Sequence, residues 1–135
     1  MMHKTSNMKD WVVLIVDDIQ DNLEVAAKIL SFNGAKVYTA QNGEEGLKLL
    51  NQASPTLILL DLSMPVMNGW EMLEIVRQNP ATAQIPVIAV TAHAMQGDLE
   101  RIMTAGFTGY IAKPFGIATL LIEIQRALNS PVETS

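Results

Sequence analysis

Leu57-Ile58-Leu59-Leu60 is an unbroken apolar run that stops on a single acid, Asp61, with Pro55 ahead of it and Pro65 behind. A short run of this kind between prolines reads as a strand covered on both faces, because a strand with one wet face would alternate polar and apolar residues. Strands covered on both faces belong to parallel sheets, and parallel pairing requires long crossover connections, usually helices. Two further runs repeat the pattern. Trp11-Val12-Val13-Leu14-Ile15-Val16 stops on Asp17-Asp18, and Pro86-Val87-Ile88-Ala89-Val90 stops on Thr91. Shorter strands are read at Lys36 to Ala40, which alternates, and at Gly109 to Ala112, which stops on Lys113-Pro114.

Helical signals fill the gaps. Asp21 and Asn22 are capping residue types, Leu23, Ala26, Ala27 and Leu30 follow at helical spacing, and Asn33-Gly34 supplies a left-handed stop. Asn42 caps a second helix carrying Leu47, Leu49 and Leu50, which ends at Ser54-Pro55. After a loop from Ser63 to Gly69, Trp70 to Gln78 forms a third helix, closed by Asn79-Pro80. The fourth spans Gly97 to Ala105 with Leu99, Ile102 and Met103 inward and Gly106 as its stop. Ile117, Leu120, Leu121, Ile124 and Leu128 give the fifth helix the most regular apolar stripe, and the chain after Asn129 is too short for more structure. Strict alternation predicts an α/β fold, a doubly wound five-stranded parallel sheet with five helices and right-handed crossovers. Residues 11–129 form its one domain, between a flexible segment 1–10 and a tail 130–135.

In such sheets ligands bind outside the carboxyl ends of the strands. Asp17, Asp18, Asp61, Thr91 and Lys113 all fall at that edge. Converging carboxylates repel one another, by about 4 kcal/mol for a pair about 4 Å apart at an effective dielectric near 20, so they call for a cation. Oxygen donors without His or Cys select a hard ion, and Mg²⁺ is the cellular candidate. A metal, a lysine and a hydroxyl also answer the needs of a transferring phosphoryl group, and a carboxylate can be its acceptor through an aspartyl phosphate.

Composition removes other classes. The chain has no cysteine, hence no disulfide, thiolate metal site or cysteine nucleophile. Nine Lys and Arg stand against 14 Asp and Glu, a net charge of −5, so no basic surface draws it onto nucleic acid. No apolar run is long enough to span or insert into a membrane and the first ten residues lack a signal-peptide core, which predicts a cytoplasmic protein. No glycine-rich phosphate loop follows the first strand, which argues against a dinucleotide or nucleotide fold.

From Trp11 to about Leu128 the sequence resembles the receiver domain of two-component response regulators. The resemblance rests on Leu14-Ile15-Val16-Asp17-Asp18, on Asp61-Leu62-Ser63-Met64-Pro65-Val66-Met67-Asn68-Gly69, on Thr91-Ala92, on Tyr110 and on Lys113-Pro114-Phe115, in that order. It implies a flavodoxin-like sheet of order 2-1-3-4-5 in a phosphoprotein resembling the chemotaxis regulators. Asp61 would accept phosphate from a histidine kinase or histidine phosphotransfer protein, in a phosphorelay. Asp17, Asp18, Asp61 and the Ser63 backbone carbonyl would hold Mg²⁺, Lys113 would contact the phosphoryl group, and Thr91 would hydrogen-bond it. Thr91 and Tyr110 would switch the face made by the fourth helix, fifth strand and fifth helix, where a downstream protein binds. Ser63 and His93, two residues beyond Asp61 and Thr91, would tune the lifetime of the phosphate. Such a chain is not an enzyme beyond taking phosphate from a donor and losing it slowly.

Taken singly, Asp17 and Asp18 are ordinary helix-start acids, Lys113 a surface lysine and Tyr110 a packing ring; their meeting at one edge carries the reading. An aspartyl-phosphate phosphatase of haloacid dehalogenase type would carry a second aspartate two residues after the nucleophile, where this chain has Ser63. A receiver-like module that binds without phosphorylation would not need the intact acids. The resemblance fits a stand-alone receiver, or one cut from a larger regulator or hybrid kinase.

Overall fold

The computed structural model describes residues 9–64, 66–92 and 96–133. Strands and helices alternate along them: β1 Val12–Val16, α1 Gln20–Phe32, β2 Lys36–Ala40, α2 Gly43–Ala53, β3 Leu57–Asp61, α3 Gly69–Gln78, β4 Val87–Thr91, α4 Gln96–Ala105, β5 Gly109–Ala112 and α5 Ile117–Glu133. Every pairing is parallel and the sheet order is β2-β1-β3-β4-β5. The doubly wound sheet and its strand order are those expected from the sequence.

A period of two divides the strands between two cores. Val13, Ile15, Leu57, Leu59, Ile88 and Val90 face α1 and α5, which cover them with Leu23, Leu30, Leu120 and Ile124 among others. Leu14, Val16, Ile58, Leu60, Val87 and Ala89 face the opposite side, under Leu50 of α2, Met72, Leu73 and Val76 of α3, and Ile102 of α4. β3 and β4 are buried along their whole length. Apolar runs without alternation are what such doubly covered strands require.

Gly34 and Gly106 follow α1 and α4 with φ of 102° and 111°, a region where a Cβ would clash, so both helices stop where the sequence stops them. The Asn42 side chain accepts a hydrogen bond from the Glu45 N–H, as a cap should.

Four local expectations differ. α1 begins at Gln20, with Ile19 in the cap position and no side-chain cap bond, rather than at Asp21 or Asn22. Met103 is 48% exposed, because it lies about 100° around α4 from the buried Ile102. Ile117 is 63% exposed, standing in the first turn of α5 before Leu120 reaches the sheet. α5 itself runs on past Asn129 to Glu133. A helix anchored by Leu120, Ile124 and Ala127 extends at little further cost, since each added residue brings its own hydrogen bond.

Candidate functional site

Parallel strands bring their carboxyl ends to one edge, and the residues that end the apolar runs arrive with them. Main-chain bonds fix the neighbours: the Asp17 N–H donates to the Ala40 carbonyl at 3.1 Å, Leu62 N–H to Val90 at 3.2 Å, and Lys113 N–H to Thr91 at 2.8 Å. Asp61 and Asp17 are only 3% and 4% exposed, while Asp18 is open to solvent. One carboxylate oxygen from each of these three acids lies within 4.8 Å of the others.

Lys113 reaches back from the end of β5 and sits between the two buried acids. Its Nζ is 3.2 Å from Asp17 Oδ2 and 3.3 Å from Asp61 Oδ2. The remaining oxygens bind the chain that follows each strand: Asp17 Oδ1 accepts from the Ile19 N–H at 2.9 Å, and Asp61 Oδ1 from the Ser63 N–H at 3.1 Å. Asp17 therefore shapes the entry to α1 itself, which is why that helix dispenses with an ordinary cap residue.

Burial first and the neighbouring Asp17 charge second raise the Asp61 carboxyl from 3.8 to about 6, against the opposing pull of the Ser63 N–H and Lys113. The site in this state holds more negative charge than its one ammonium balances. Three oxygen donors from the ends of two neighbouring strands, two of them buried, fit a hard divalent cation, which would relieve that imbalance.

Thr91 ends β4, buried between β3 and β5 and opposite Ala112. Tyr110 pairs with Ala89 in register and is 36% exposed on the edge strand. The Lys113-Pro114 peptide bond is cis. Ser63 meets Asp61 through its N–H; Pro65 and His93 lie outside the described residues. The structure thus brings Asp17, Asp18, Asp61, Ser63 and Lys113 into mutual reach, with Thr91 on the adjacent strand end.

Three supporting residues at the junction of β3 and α3 escape a reading that treats Ser63 to Gly69 as plain loop. Asn68 and Glu71 form a capping box, each side chain accepting from the other's backbone N–H, at 2.9 Å to Asn68 Oδ1 and 3.0 Å to Glu71 Oε1. The Asn-x-x-Glu spacing signals it. Gly69 lies so close to the end of β3 that an added Cβ would collide with the Asp61 carbonyl oxygen and stand 2.9 Å from Leu62 Cα. Glycine is required there for close approach, and nothing local in the sequence says what it approaches.

The model of the response regulator receiver domain family matches residues 13–125. Polar-differentiation response regulator DivK of Brucella anthropi is 35% identical over 117 residues, spanning 87% of this chain and 95% of DivK. Among solved structures, the chemotaxis response regulator CheY4 of Vibrio cholerae aligns with a TM-score of 0.83 at 32% identity, over 87% of this chain and 98% of that one. A CheY-like receiver domain protein of Methanospirillum hungatei gives a TM-score of 0.80 at 30% identity, over 93% and 98%. The matched span contains Asp17, Asp18, Asp61, Thr91 and Lys113, and the chain belongs to the response regulator receiver domain family of two-component signalling.

Proposed function

We propose that this receiver takes a phosphoryl group onto Asp61 from a phosphohistidine of a histidine kinase or histidine phosphotransfer protein, and signals onward by protein contact. What carries the reading is the Asp61 carboxylate itself, buried at the end of β3 and held by the Ser63 N–H on one oxygen and by Lys113 on the other. A carboxylate oxygen attacks phosphorus as the phosphorus–nitrogen bond breaks and its electron pair leaves on the imidazole. Lys113 stays with the developing charge, and the Thr91 hydroxyl donates to a phosphoryl oxygen.

Asp17, Asp18, Asp61 and the Ser63 backbone carbonyl are the groups that would hold Mg²⁺. When bound, the ion supplies charge neutralisation at the phosphoryl oxygens. As Thr91 is drawn toward the phosphoryl group, the half-exposed Tyr110 ring turns into the space it leaves, repacking the α4, β5 and α5 face against a downstream protein. The domain spans residues 11–129 and works in the cytoplasm, without nucleic-acid or membrane contact of its own. No helix among the described residues is long and apolar enough to cross a membrane. The chain is a phosphate acceptor with slow self-dephosphorylation rather than a turnover enzyme. A haloacid dehalogenase phosphatase is disfavoured by Ser63 standing where that class needs its second aspartate.

Incubation with Mg²⁺ and acetyl phosphate tests the proposal by intact mass. The expected result is one labile phosphate on the native chain and none on Asp61→Asn. Uptake by Asp61→Asn at the wild-type level, or turnover of external phosphate esters, would sink it.

A further inference from the structure

Beside the acidic edge, a cavity of about 290 Å³ opens toward α4, lined by Leu62, Ser63, Trp70, Thr91, Asp98 and Arg101 among others. Ser63 and Thr91 belong to the phosphoryl site proposed above, so this cavity is its side entrance. Arg101 stands on the wall. Its guanidinium carbon lies 4.7 Å from the centroid of the Trp70 ring, a cation–π stack. The indole is itself braced: Trp70 meets the buried Phe107 edge to face, with centroids 5.6 Å apart and planes at 82°. Two rings anchored in the core thus hold a planar cation at the mouth.

That cation is not otherwise engaged among the described residues, where Arg101 makes no hydrogen bond or ion pair. Asp98 lies three residues earlier on α4 and lines the same cavity, yet the two do not pair. Stacking leaves the edge of a guanidinium, with its five N–H donors, free to meet phosphate oxygens. The need for such a group is electrostatic. The chain carries 14 acids against nine bases and Asp98 lines this entrance, so a dianionic donor approaches a wall of its own sign.

We infer that Arg101, held by Trp70, is a donor-positioning residue that captures the oxygens of an incoming phosphoryl group at the α4 side of the cavity, and that Asp98 opposes it. This rests on Asp61 being the phosphate acceptor. Arg101 acts on approach and takes no part in bond making. With acetyl phosphate, an Asp61 oxygen forms the new bond to phosphorus, the bond from phosphorus to the acetyl oxygen breaks, and acetate leaves with the electron pair, without any proton transfer.

The experiment measures initial rates of Asp61 phosphorylation against acetyl phosphate concentration at several salt concentrations, with decay of the aspartyl phosphate as a separate readout. Arg101→Gln is expected to lower the second-order rate by about five- to tenfold, chiefly through the half-saturating concentration, and to flatten the salt dependence. Asp98→Asn should shift the same rate upward. Arg101→Lys should recover part of the loss, since it keeps the charge without the planar fork, and Trp70→Leu should weaken capture while the charge remains. Aspartyl-phosphate decay should be unchanged in Arg101→Gln. The inference is overturned if Arg101→Gln takes phosphate at the wild-type rate and salt slope, or if Asp98→Asn and Arg101→Gln shift the rate in the same direction. Failure of the underlying reading looks different: the native chain itself would take no phosphate on Asp61.

Discussion

Asp61 is a carboxylate kept where a carboxylate is not comfortable. Its rise from 3.8 to about 6 means that, without a metal, ionised Asp61 works against the fold. The sign follows from the two states. Below about pH 3.8 the group is protonated folded or unfolded and costs nothing; between there and about pH 6 only the unfolded chain ionises readily, and stability falls; above that the loss is constant. The rise corresponds to roughly 3 kcal/mol. Asp61→Asn should therefore be more stable than the native chain by a figure of that order at pH 8 and nearly equal to it at pH 3.5, as read from urea denaturation. A divalent cation bound to the acids changes the sign of the environment. Added Mg²⁺ should raise the unfolding midpoint of the native chain, by about 1.4 kcal/mol at about ten times its Kd, with a much smaller effect in Asp61→Asn and full reversal by a chelator.

At the level of elements, the loop from β3 to α3 is where position matters most. The groups nearest an added Cβ at Gly69 are backbone atoms of Asp61 and Leu62, which cannot move aside as a side chain can. Gly69→Ala should cost more than about 2 kcal/mol and displace the acceptor, so phosphorylation should fall along with stability. Asn68→Ala removes one half of the capping box and should cost about 1 kcal/mol, with phosphate uptake largely retained. Thermal unfolding and acetyl phosphate uptake on both variants separate the two cases. The same loop marks the limit of what a sequence discloses. Asn42 and Gly106 announce their roles because cap and stop chemistry is local. Gly69 and the start of α1 do not, since one answers to the end of a strand behind it and the other to Asp17, an acid shared with Lys113 on the far strand.

For the whole molecule, the alternating faces of the interior strands make two cores separated by one sheet. Leu30 of α1 lies in one and Leu73 of α3 in the other, both fully packed. Leu30→Ala and Leu73→Ala should each cost about 2–5 kcal/mol, and the double variant should equal their sum within about 0.5 kcal/mol in urea melts. A larger coupling would mean that the sheet passes strain between its faces. The fold was legible because three apolar runs had to serve both cores, and with two shorter strands and helices between all five, few architectures remain. The meeting of Asp61, Asp17 and Lys113 was legible because strand ends in a parallel sheet share an edge. The stack of Arg101 on Trp70 was not, since their meeting depends on how α3 and α4 lie beside each other.

Lys113 closes the site from the last strand onto acids carried by the first and the third. No piece of the chain that stops before Lys113 can assemble that contact, so the proposed uptake of phosphate requires the last strand in place. On the function proposed above, a nascent or partly unfolded chain takes no phosphate from a donor, and the phosphorylated pool counts only molecules that have completed the sheet.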